Sequence, residues 1–258
     1  MRDGLENKMK IISFGGGERL SFCREYLSDM DGDIKELILL PIPSTKDNIR
    51  VKGTDTPLGE VVDMAGEGSA VCGYGLPREM TEALLRKGAS VFDGMRSEDF
   101  LVENAVLTVD GALGELLTSF SRAPRDLAVG VIGYGRIGKR LLSSLLFLGA
   151  RVRLYTRCAA VRMTLGEEGI ETEEFKPDSD YGGLDVLINT APCRVLGEQG
   201  IRECEKRGLR ILDLASGECF PPSSAVKKLA SVPEAFYPRS AGALYGKYIS
   251  EFLRLVKK

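Results

Sequence analysis

The chain has 258 residues, 43% of them apolar and 28% charged, with a formal charge of −2. That length allows one large core or two modest ones, and no basic excess or long apolar run points to nucleic acid or a membrane span. Histidine is absent, which excludes imidazole-based hydrolases, histidine zinc sites and dehydrogenases whose proton acceptor is imidazole.

The polar opening M-R-D-G-L-E-N-K-M-K lacks the apolar stretch of a signal peptide, and Met1 to Lys8 reads as a disordered lead. From Lys10, I-I-S-F is a strand ending at Gly15, Gly16 and Gly17, followed by a helix from about Glu18 to Met30. These glycines read better as a plain strand-to-helix turn than as a nucleotide-binding one, because the third spaced glycine is missing. Leu37 to Pro41 is a second strand, and P-I-P-S-T-K-D-N beyond it is irregular because of its prolines. Ile49 to Thr56 is a hairpin or loop, and Leu58 to Met64 is one or two helical turns. Val71 to Tyr74 and Ala89 to Phe92 are strands flanking a helix from Pro77 to Lys87, with proline in its first turn; Ser97 to Leu101 is a short helix.

From Thr108, T-V-D-G-A-L-G-E-L-L-T-S-F-S places Val109, Leu113, Leu116, Leu117 and Phe120 on one face of a connecting helix, 108–121. Next comes L-A-V-G-V-I-G-Y-G-R-I-G-K-R-L-L-S-S-L-L-F-L-G-A-R-V-R-L-Y-T-R, from Leu127 to Arg157. It reads as strand, glycine turn, helix and strand, the context a dinucleotide-binding fingerprint requires. Gly133 makes the tight turn, Gly135 lets backbone approach a pyrophosphate, and Gly138 lets the helix pack on the strand. Cys158 to Glu168 is then a helix, Thr172 to Phe175 and Asp185 to Asn189 are strands, Ile201 to Arg207 is a helix, and Arg210 to Leu214 is a strand. Ala235 to Tyr237 is the candidate sixth strand, and Ala243 to Val256 is a helix able to pack back across the first domain.

The alternation predicts an α/β protein with two Rossmann-like parallel-sheet domains joined by long crossing helices. Residues 1–107 form a flavodoxin-like domain on the substrate side. Residues 108–258 form the NAD(P)-binding domain, including both long helices. The six cysteines make no C-x-x-C and no metal spacing, so they read as reduced packing residues of a cytoplasmic protein, and no metal is expected.

Ligands of open α/β sheets bind beyond the carboxyl ends of the strands. The cofactor candidates there are Gly133, Tyr134, Gly135, Arg136, Ile137 and Gly138, then Asn189, Thr190, Ala191 and Pro192, then Asp213 and Ser216. The N-T-A-P stretch is equally a cap or turn. Asp213, in an apolar strand, is either hydrogen-bonded at the ligand edge or paired with a cation such as Arg239. Thr156 and Arg157 stand where an NAD site carries an acid. Guanidinium and hydroxyl suit a 2′-phosphate, so NADP is favoured over NAD; the alternative is a solvated arginine opening the next helix. On the substrate side the candidates are Ser44, Thr108, Arg239 and Ser240. Asp110 is the candidate general base, or else an acid favouring its helix's dipole.

In the order I-I-S-F-G-G-G-E-R, L-L-P-I-P-S, N-A-V-L-T-V-D-G, V-I-G-Y-G-R-I-G, L-I-N-T-A-P, I-L-D-L-A-S and a terminal S-A-G, the chain resembles the A subunit of dipicolinate synthase over most of its length. The resemblance implies a nicotinamide-dependent oxidation of a dihydrodipicolinate-type cyclic dicarboxylate in sporulation, working with a flavoprotein-like B subunit. Homodimerisation is allowed for, and neither nucleic acid nor membrane is an expected partner. The first domain is trimmed relative to that family, and A-F-Y-P-R-S-A-G is shorter and more basic than its counterpart. Two other readings stay open: a related dehydrogenase acting on another small carboxylate, and a nucleotide-binding regulatory or partner subunit without catalysis.

Overall fold

Short apolar runs closed by glycine or proline build two parallel sheets in the computed structural model, which describes residues 9–30 and 34–256. The expected lead at 1–8 lies outside the described residues. The chain divides into two compact units, Met1–Asn104 with Phe236–Lys258, and Ala105–Ala235.

The first unit holds β1 (Lys10–Ser13), α1 (Glu18–Leu27), β2 (Glu36–Leu39), α2 (Leu58–Met64), β3 (Ser69–Gly73), α3 (Arg78–Arg86), β4 (Ser90–Asp93) and the start of α4 (Glu98–Ser119). Its four strands are parallel and ordered β1-β2-β3-β4. That succession differs from the flavodoxin-like order expected, which doubles back on itself. The placement follows composition: S-A-V-C-G of β3 is buried throughout, whereas K-I-I-S of β1 is exposed or half-buried and sits at an edge. Ile38, Leu40 and Val71 pack with Val61, Met80 and Leu84 of α2 and α3.

The second unit continues with β5 (Ala128–Ile132), α5 (Arg136–Phe147), β6 (Arg151–Thr156), α6 (Ala159–Glu167), β7 (Glu171–Glu174), β8 (Val186–Asn189), α7 (Glu198–Arg207), β9 (Arg210–Asp213) and β10 (Val226–Lys228). A short helix, α8 (Val232–Phe236), and the long α9 (Pro238–Leu255) complete the chain. The six strands are parallel in the order β10-β9-β8-β5-β6-β7. From β5 the chain steps outward through β6 and β7, then returns to β8 on β5's other side and steps outward again. This is the doubly wound Rossmann order, with its reversal between β5 and β8. β5 reads A-V-G-V-I and is buried on both faces, as the centre of a parallel sheet requires.

Several elements differ from expectation. The two helices expected at 97–101 and 108–121 are one, α4, running through Asn104, Thr108 and Gly111 without a break. On its expected apolar face Val109 and Leu116 are fully buried, but Leu117 is exposed. The sixth strand is Val226–Lys228, whereas 232–236 is helical, since Pro233 fits a helix's first turn and offers no ladder donor. Among the described residues no helix is long and apolar enough to cross a membrane, and all six cysteines are free.

α9 belongs to the first unit, where it packs along α1. Glycines at i and i+4 make that contact possible. A Cβ on Gly242 would stand 2.5 Å from Phe22 Cβ and 2.6 Å from the Arg19 carbonyl, and one on Gly246 would stand 2.7 Å from Tyr26 Cδ1. The S-A-G stretch is therefore a helix-packing surface. Gly242→Ala is expected to destabilise the protein by about 1–3 kcal/mol, because backbone rather than a pliant side chain blocks the methyl. Gly166→Ala in α6 meets nothing within 4 Å and is expected to stabilise by up to about 1 kcal/mol through helix propensity. Urea unfolding of both variants checks the opposite signs; a neutral Gly242→Ala contradicts this account of the contact.

Candidate functional site

At the carboxyl end of β5 the backbone turns into α5 through Gly133, which holds φ +95°. A Cβ there would stand 2.7 Å from Thr190 Oγ1. One on Gly138 would collide with the Gly133 carbonyl oxygen. Gly135 is the reverse case: its Cβ would meet nothing within 4 Å, so its face is open. Two glycines are thus demanded by close packing and the third borders free space. The first intrahelical bond of α5 runs from Lys139 N–H to the Gly135 carbonyl, 2.9 Å. The amides of Ile137 and Gly138 therefore lack an acceptor within the helix, and they stand at its positive end. This is an anion cradle of the kind a diphosphate occupies.

The side chains of Tyr134 and Ile137 are half-buried and pack against the core that includes Val109, Leu141 and Val186. The Thr190 hydroxyl uses its proton within the protein, donating to the Ile132 carbonyl at 2.7 Å while its amide donates to the same oxygen at 2.9 Å. Thr190 therefore braces the glycine turn.

β8, β9 and β10 end in a polar row. Their register sets Asn189 beside Asp213 and Asp213 beside Lys228. Asn189, fully buried, donates from Nδ2 to Asp213 Oδ1 (2.8 Å) and to the Ala191 carbonyl (3.1 Å), and accepts from the Ala191 amide (3.0 Å). Asp213 also accepts from the Ala215 amide (3.2 Å) and pairs with Lys228 Nζ (2.7 Å). The cation beside Asp213 is thus Lys228. Arg239 instead lies 3.8 Å from Glu25 and over the Phe22 ring, because α9 packs on α1. Asn189 and Asp213 hold the edge in shape, and the exposed Pro192 and Ser216 present its outer surface.

At the end of β6, Thr156 is buried and its hydroxyl accepts from the Cys158 amide. Arg157 is exposed, its guanidinium 5.3 Å from the Phe175 ring centre. Arg162, one turn into α6, donates to the Thr156 carbonyl at 2.7 Å. Lys228 and Arg162 both escaped the sequence reading. Neither has a local signal: Arg162 stands five residues after Arg157, which precedes the helix, and Lys228 lies on a strand without alternation or an apolar run.

The substrate-side candidates are divided between the two units. Ser44 is fully buried in the first unit, accepting from the Tyr74 amide (2.7 Å) and donating to the Pro41 carbonyl (3.0 Å). It ties the loop after β2 to the end of β3. Arg239 and Ser240 are exposed in the first turn of α9. Thr108 is buried within α4. Asp110 is exposed in the middle of that 22-residue helix, beyond the reach of its terminal dipole. Among the described residues no cluster of potential metal ligands occurs.

No family model matches the chain. Its fold is that of the dipicolinate synthase A subunit. The Bacillus halodurans structure superposes with TM-score 0.78 at 19% identity, over 97% of this chain and 99% of that one. The Bacillus subtilis structure gives 0.77 at 18%, over 96% and 97%. In sequence the chain is similar to a D-specific alpha-keto acid dehydrogenase of Enterococcus faecium, 26% identical over 128 residues. That match covers 50% of this chain and 36% of the dehydrogenase, so the chain matches about a third of that relative's length.

Gly133→Ala is expected to lose about 1–3 kcal/mol, from positive φ and the Thr190 contact together. Gly135→Ala is expected to change stability by no more than about 1 kcal/mol. Equal losses in denaturant unfolding would contradict the distinction between packed and open glycines.

Proposed function

We propose that the chain is an NADP-dependent oxidoreductase of the same type as the dipicolinate synthase A subunit, working in the cytoplasm on a dihydrodipicolinate-type cyclic dicarboxylate. The observation that carries it is the open Gly135 between two glycines locked by packing, at the β5/β8 reversal of a doubly wound sheet. A dinucleotide fits this cradle. Backbone amides at the start of α5 would hold the diphosphate, an interaction worth roughly 0.3–1 kcal/mol per helix end and up to ~2 when partly buried. The dehydrogenase relative and the shared fold support the same reading.

Arg157 and Arg162 would face the adenosine ribose. Glu174, in register beside Thr156, is paired with Lys176 at 2.8 Å, which leaves positive charge in excess where a 2′-phosphate would sit. A bound nicotinamide would supply the hydride acceptor for oxidation of the six-membered ring. Loss of a proton from the same ring would leave an aromatic pyridine dicarboxylate. Asp110 is the proposed proton acceptor, and Arg239 and Ser240 are the proposed carboxylate contacts.

Fluorescence titration tests the cofactor assignment. NADPH is expected to bind about tenfold or more tightly than NADH, and Arg157→Ala to close most of that gap, as for loss of one charge-assisted hydrogen bond. Tighter binding of NADH would contradict the arginine argument. For the reaction, a dihydrodipicolinate precursor with NADP is expected to yield NADPH absorbance. Silence with and without a B subunit would favour the non-catalytic reading, and an Asp110→Asn variant with unchanged turnover would remove that residue from the mechanism.

A further inference from the structure

We infer that Lys228 is a positioning residue, which from the edge strand β10 holds the loop 214–217 in the shape that receives the nicotinamide end of the dinucleotide. The inference rests on the dinucleotide reading above and names a residue which that reading does not use.

Lys228 Nζ donates to three acceptors: Asp213 Oδ2 at 2.7 Å, the Gly217 carbonyl at 2.8 Å and the Ala215 carbonyl. An ammonium has three donors and no acceptor, so its capacity is filled. Two of the three partners are carbonyls of the loop itself, and the third is the buried carboxylate at the loop's root. The chain between them is therefore wrapped around one cation. It carries Ser216 on its outer side, exposed, and turns at Gly217 with φ +86°. Through Asp213 and Asn189 the same charge reaches the Ala191 backbone. Lys228 thus ties the two loops that follow β8 and β9 into one surface.

Its contribution to the core is small. β10 is three residues long, Lys227 and Lys228 on it are exposed, and the Lys228 side chain is 40% accessible. Replacing it by methionine keeps the aliphatic stem but removes all three donors. Asp213 is then left buried without its cation, beside two carbonyls that have lost a donor. The loop is freed locally while the sheet is retained. Arginine restores the charge, but its planar fork cannot meet three acceptors that converge from different directions.

The test compares two ligands on the full chain by isothermal titration calorimetry: NADPH, and 2′-phospho-ADP-ribose, which lacks the nicotinamide. Lys228→Met is expected to weaken NADPH about tenfold or more while changing the fragment by less than about twofold, with Lys228→Arg in between. Should Lys228→Met melt more than about 10 °C below the parent, Lys228→Arg carries the same comparison. Equal weakening of both ligands, or NADPH binding unchanged, overturns the positioning role and leaves the dinucleotide reading standing. A parent chain that binds neither ligand overturns both.

Discussion

The second unit depends on one close approach, between the turn that leaves β5 and the first residues beyond β8. Gly133 can hold positive φ with Thr190 pressed against it only because it has no side chain, and Gly138 rests on the Gly133 carbonyl for the same reason. The contact joins the two strands at which the sheet reverses direction. It also anchors α5 with its first amides directed outward. Were either position larger, the helix would move off the strand and those amides would no longer converge. The open face at Gly135 has meaning only because its neighbours are closed.

Beside that turn the sheet edge is stiffened by charge. Asn189, Asp213 and Lys228 occupy adjacent register positions at the ends of three successive strands. Burying Asp213 is costly unless its oxygens are satisfied, and here an amide side chain, a backbone amide and an ammonium satisfy them. The cost of breaking any one member is what keeps the loops beyond β8 and β9 in a single arrangement. The first unit relies on a different device. Gly242 and Gly246 let two helix backbones meet, and Glu103 accepts from Lys247 (2.8 Å) and Tyr248 (2.7 Å) to fix the start of α4 against α9. Those two donors hold the Glu103 carboxyl below the usual carboxylate range.

The glycine turn was legible because local sequence determines it: an apolar strand, three spaced glycines and an amphipathic helix appear consecutively. Most strands were legible for the same reason. What escaped was long-range or locally weak. V-K-K of β10 shows neither alternation nor an apolar run, and it forms a strand only because β9 offers a free edge. α4 reads from sequence as two helices, 97–101 and 108–121, and burial of Phe100 and Ala105 carries the helix across the stretch between them, through Asn104, a poor helix former. Asp213 is both hydrogen-bonded at the edge and paired with a cation, but Lys228 rather than Arg239, because sequence shows that a buried carboxylate needs partners and not which cation supplies one. Ser44, similarly, has the chemistry of a ligand contact and is consumed by the Pro41 carbonyl and the Tyr74 amide.

Amide hydrogen exchange with and without NADP tests the central claim most directly, because it reports on the backbone groups said to bind. The account predicts slowed exchange concentrated at residues 135–138 and 190–193. Protection absent there, or confined to another part of the chain, would contradict it.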